Sequence, residues 1–250
     1  MKKHLFPLLA LLLTASACTR TVRPLFGFVE VDTLLGPSGN RIEVAYEFVT
    51  ITNADRSPAL REIERANLDY FFGSESGAAT PQEAVDASLA EIAADYLPHD
   101  REALPFIADY TISARAEAET TDSLLTYTIY RESYTGGAHG MYSTEYHTYS
   151  LDSGEELTVA DLFDEQTRHL LRGQLREKLA EKYAAGTPGE STDAVLEANG
   201  FFPAEIDLTD NFRIDPDGSI TFFYNPYDIA CYATGAVEAT FTQDELRALR

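Results

Sequence analysis

Hydrophobic and polar positions alternate from Arg41 to Thr52, where Ile42, Val44, Tyr46 and Phe48 face mostly polar neighbours. That period predicts a half-buried strand. Ser57-Pro58 then reads as a helix start, with serine at the cap and proline at the first helical position. Leu60, Ile63, Asn67, Leu68 and Phe71 supply its stripe and Gly73 its stop. Thr80-Pro81-Gln82-Glu83 opens a second helix with capping-box spacing, and Val85, Leu89, Ile92 and Tyr96 share one face before Pro98. Three strand-like stretches follow: Phe106 to Glu117, Leu124 to Tyr134, and Met141 to Leu151.

Thr158 to Asp161 has the spacing of another capping box, predicting one helix to Ala184 with Leu162, Phe163, His169/Leu170, Leu175 and Leu179 inward. Arg168, Arg172 and Arg176 fall on one face of it, as a solvated row. The Gly186 to Gly189 stretch breaks the chain before a short helix near Thr192 to Ala198. Strands are expected at Asn211–Ile214 and Ser219–Tyr224, joined by an Asp215-Pro216-Asp217-Gly218 turn, and at Ala236–Phe241. Thr242 caps a terminal helix. The order strand, helices, strands, helices, strands predicts an α+β fold, mainly antiparallel sheets with helices on one face.

Between the second and third of the middle strands lies Tyr134-Thr135-Gly136-Gly137-Ala138-His139-Gly140. Adjacent glycines permit a sharp turn or close approach by a partner. A histidine among tyrosines there fits a recognition surface; the same residues also fit a hairpin whose glycines serve geometry alone.

The first residues carry a different pattern. Met1 to His4 is basic, Leu5 to Leu13 is an apolar run too short for a bilayer span, and Ala15-Ser16-Ala17 leads to Cys18. This arrangement resembles a bacterial lipoprotein signal over residues 1–17, with Cys18 lipidated and the mature chain outside the cytoplasmic membrane. No later apolar run reaches membrane-spanning length. Residues 18–39, with Pro24, Gly27, Gly36, Pro37 and Gly39, are expected to include a tether. Cys231 would be left without a partner, as a buried thiol in an apolar stretch.

Charge narrows the partners. The chain has 41 acidic against 19 basic residues, a net charge of −22, and loss of Lys2 and Lys3 takes it to −24. Eight acids and no lysine or arginine lie between Arg131 and Arg168. Nucleic acid is excluded, because phosphate binding needs a basic footprint. Cationic proteins or peptides would be drawn in, although solubility alone explains the same balance. Zinc-protease, serine-elbow and phosphate-loop motifs are missing, and His139 and His147 have no third ligand at a telling spacing. Neither enzyme activity, a cofactor nor a bound metal is expected.

The heptapeptide, with Tyr149 to Glu155 and Leu157 to Phe163, resembles the extracellular domain of the RsiV-like family. So do Phe222 to Gly235 and the closing Phe241 to Leu246, and together these cover roughly residues 120–247. Residues 40–118 are similar to the small domain preceding it in such proteins and in PdaC-like peptidoglycan deacetylases. The resemblance implies two units, 40–118 and 119–250. It implies a non-catalytic binding domain, since the family's best-known member binds lysozyme through its outer part; the alternative is a module for cell-wall glycan. Neither the sigma-binding segment nor the deacetylase domain of those relatives is matched, and Cys231 stands where many of them have proline. Candidate binding residues are Tyr134, Thr135, Gly136, Gly137, Ala138 and His139, with Tyr224 and Tyr227 from the later matched stretch.

Overall fold

The computed structural model describes residues 21–73, 77–97, 109–183 and 189–249. The signal segment, Cys18, His99, the start of the stretch from Phe106 and residues 186–188 lie outside them.

A five-stranded sheet forms the first half, in spatial order β1 (Phe26–Leu35), β2 (Ile42–Ile51), β3 (Tyr110–Thr120), β4 (Leu124–Tyr134), β5 (Met141–Ser150). All neighbours are antiparallel except β2 and β3, which run parallel because α1 (Pro58–Phe72) and α2 (Pro81–Tyr96) cross between them. β1 occupies much of the stretch expected to be a tether. Val29, Val31, Thr33 and Leu35 alternate toward the helices opposite Phe48, Tyr46, Val44 and Ile42, and that period outweighs the flanking glycines and prolines.

The two helices cover one face of this sheet. Phe71 and Phe72 of α1 meet Tyr46 and Phe48 of β2 at ring separations of 5.1–5.7 Å, and Tyr46 bonds Ser88 of α2 at 2.9 Å. Burying such rings contributes about 2 kcal/mol each. The second half is a three-stranded antiparallel sheet, β6 (Phe212–Ile214), β7 (Ile220–Tyr224) and β8 (Val237–Phe241). Its core gathers Phe212, Phe222 and Phe241 with Leu171, Leu175 and Leu179.

The helix expected from Thr158 to Ala184 is two: α3 (Val159–Leu162) and α4 (Glu165–Tyr183). Phe163 is extended, and Asp164 restarts the helix by accepting from the Thr167 N–H at 2.7 Å. The restart shifts the stripe, burying Thr167 and Leu171 and leaving His169 and Leu170 exposed. α5 (Thr192–Ala198) and α6 (Gln243–Ala248) stand where expected. The arginine row is tied down as well as solvated: Arg172 pairs with Asp207 at 2.5 Å and Arg176 with Asp193 at 2.7 Å.

A boundary at residue 118 would part β3 from β4, the middle of one sheet. The hydrophobic cores instead divide the chain after Leu151, one core spanning 42–151 and the other 159–246. Asn211 and Asn225 join the halves along the outer edge of β5. Asn211 accepts from the Tyr146 N–H at 2.8 Å and donates to the Thr144 carbonyl at 2.9 Å. Asn225 accepts from the Thr144 N–H at 2.7 Å. Two side-chain amides thus take the place of a sixth strand. Among the described residues no helix is long and apolar enough to cross a membrane.

Candidate functional site

The β4–β5 hairpin closes through Gly136 and Gly137, both left-handed at φ 96° and 94°. Tyr134 braces the turn by donating to the Gly137 carbonyl at 3.2 Å, and Tyr110 lies under Gly136. His139 is exposed, yet its ring stacks on Tyr232 with centroids 3.8 Å apart and planes 18° from parallel. Its Nδ1 sits 2.8 Å from the Gly140 carbonyl, an acceptor only, so that nitrogen carries the proton. The Tyr232 hydroxyl donates to the same carbonyl at 2.8 Å. Residues 92 positions apart in sequence therefore share one anchor.

Tyr232 also meets Tyr227 at 5.6 Å and Tyr142 edge-on at 6.1 Å. Tyr227 is half exposed and Tyr142, Met141 and His139 also reach solvent, which makes a continuous aromatic patch. Tyr227 is the one non-glycine with positive φ among the described residues, at 77°. Its loop is held by Asn225 on β5, by the Asn225 N–H on Asp228 at 2.7 Å, and by its own N–H on the Ala230 carbonyl at 3.2 Å. A bulky side chain in that backbone region stores about 1 kcal/mol or more, kept here while the ring points outward.

Tyr134, Gly136, Gly137, Ala138, His139 and Tyr227 are thus gathered at one end of the molecule, with Thr135 between them. Tyr224 is not among them. It is 3% exposed and its hydroxyl donates to the Asp207 carbonyl at 2.6 Å, because the alternation of β7 turns it into the second core. Tyr142 and Tyr232 complete the patch and were not expected there. The only sequence signal for them was tyrosine density beside the hairpin and before Gly235. Cys231 is half-buried, and the Thr234 hydroxyl beside it holds its thiol below the usual range.

A second polar group lies at the rim of the first core. His147 stacks on Tyr70 of α1 at 3.8 Å, and its Nδ1 meets Glu156 at 2.8 Å. Tyr70 donates to the other oxygen of Glu156 at 2.7 Å, and Glu145 is held by Arg131 at 3.0 Å. Arg131 also donates to the carbonyls of Tyr70 and Phe71, ending α1. Burial opposes charge on His147, but its bonds to Glu145 and Glu156 outweigh burial and raise its pKa. Both carboxylates are correspondingly lowered against their own desolvation. Burial and Glu156 push the Tyr70 hydroxyl up to about 12. The group works as a structural clamp between α1, β4, β5 and the start of the second half. Among the described residues no cluster of three metal-ligating side chains occurs.

Residues 160–244 match the sequence profile of the DUF3298 family, described as a protein of unknown function. The match coincides with the second core and includes Tyr227 and Tyr232, but not the hairpin. No curated protein matches the chain. Among solved structures, a DUF3298 family member from Bacteroides fragilis superposes with a TM-score of 0.74 at 23% identity, covering 91% of this chain and 94% of that one. A DUF3298 family protein from Pseudomonas aeruginosa gives 0.61 at 16% identity, with the same coverage. Residues 160–244 thus resemble the DUF3298 family, and the chain shares the fold of these solved structures through both halves.

Proposed function

We propose that this is an envelope lipoprotein, anchored through Cys18, whose aromatic patch captures a cationic protein without catalysis. The observation that carries the reading is the assembly of the hairpin and the 225–235 loop into one exposed cluster, with Tyr227 held strained and outward. Aromatic side chains that project from rigid backbone bind at small entropic cost and dominate interfaces. Tyrosine faces also attract lysine and arginine side chains. The patch sits in an acidic chain, with Glu132 opposite Tyr142 and Asp228 beside Tyr227, which speeds encounter with a basic partner. The RsiV-like resemblance points to lysozyme as the partner to try first.

Binding of lysozyme to the wild-type protein and to Tyr232→Ala tests the reading. Salt-sensitive capture that weakens about tenfold or more in the variant is expected. Retention on purified peptidoglycan, tolerant of salt and without lysozyme capture, would replace the proposal with a glycan-binding one.

A further inference from the structure

The opposite edge of the five-stranded sheet presents a second surface. β1 pairs only with β2 among the described residues, so its far side is an open edge ten residues long. The Thr52 N–H donates to the Leu25 carbonyl at 2.8 Å, and the register continues as Phe26 with Ile51. In an antiparallel pair the bonded residues alternate. Main-chain groups of Phe26, Phe28, Glu30, Asp32 and Leu34 therefore point away from β2.

Phe26 packs against the first core at the strand's start, whereas the side chains of Phe28, Glu30, Asp32 and Leu34 lie exposed on the helix-free face. Phe28 is 73% exposed and Leu34 55%, with Glu30 and Asp32 exposed between them. Glu30 stands directly opposite Glu47, and Leu34 opposite Glu43. Like charges opposite one another on a sheet are destabilising. Among the described residues no ion pair reaches Glu30, Asp32, Glu43 or Glu47. Arg115, in register with Glu47, is engaged with Glu117 and lies 4.5 Å from the Tyr130 ring centre. Arg115 also acts on Glu47 across the sheet, so the edge itself is apolar at both ends, with Glu30 and Asp32 as its acidic centre.

We propose that β1 accepts an extended basic segment of another protein as an added strand, with lysine or arginine side chains over Glu30 and Asp32. Strand addition supplies main-chain hydrogen bonds for affinity, while alternate side chains supply selectivity. A second copy of this chain fits poorly, because β1 against β1 would bring more acids to the acids already facing one another. The surface is independent of the aromatic patch, since β1 and β5 are opposite edges, roughly 19 Å apart at ordinary strand spacing.

A short peptide alternating valine and lysine is the probe, titrated into the whole protein with amide exchange read residue by residue. Binding should protect the amides of Phe28, Glu30, Asp32 and Leu34, and weaken about tenfold in the double variant Glu30→Gln, Asp32→Asn. N-methylation of alternate peptide amides should abolish binding, and Tyr232→Ala should leave it unchanged. Equal binding of the N-methylated peptide would show charge adsorption and overturn the proposal, as would protection confined to other strands or no binding at all.

Discussion

Tyr227 is the residue where strain and exposure coincide. Replacing it with glycine removes about 1 kcal/mol of left-handed strain and adds about 0.5–1 kcal/mol of unfolded-state entropy. Tyr227→Gly should therefore melt close to the wild type while losing affinity for the cationic partner, as a thermal scan and a binding isotherm on one sample would show. His147 has the opposite character. Its raised pKa contributes stability that is full below its ordinary 6.5 and is lost as pH rises through the higher folded value. The lowered carboxylates Glu145 and Glu156 contribute above their ordinary 4.5 and lose that contribution as pH falls. The stability lost in His147→Gln, about 2 kcal/mol, should be largest between pH 4.5 and 6.5 and shrink on either side. A loss constant from pH 4 to 9 in chemical denaturation would remove the clamp from the account.

Among the elements, β5 depends on groups that no local pattern announces. Asn211→Ala would leave the Tyr146 N–H without its acceptor at a buried seam, at a cost of about 1–3 kcal/mol. Exchange of that amide should accelerate more than exchange of the core amides of β7; equal acceleration would mean that the seam opens only with the whole molecule. Most elements were legible from period and caps, since Ile42 to Phe48 and Val85 to Tyr96 obey strict spacing. β1 was obscured by Gly27 and the prolines and glycines on either side of it, which outweighed the alternation of Val29, Val31 and Leu35. The break at Phe163-Asp164 was hidden because both halves are helix-favouring, and only the Asp164 side chain restarts the phase. Tyr224 and Tyr227 looked alike in sequence; the alternation of β7 buries the first, and the left-handed loop beyond the strand's end exposes the second.

For the whole molecule, the hairpin was visible as a turn in the sequence, but its stacking on Tyr232 needs the second half folded onto β5. That dependence makes the patch a property of both cores together. At this scale the lipoprotein reading predicts that Cys18→Ala releases the protein from membranes, checked by fractionation; an unchanged membrane fraction would refute it. The central claim is that the two loops form one anchor for a basic protein. Its most direct measurement is a pair of lysozyme isotherms, for the wild type and for Tyr227→Gly, at low and moderate salt. The account predicts weaker binding by about tenfold in the variant at both salts, with affinity of both proteins falling as salt rises. Equal affinities for the two proteins, each confirmed folded, would contradict it.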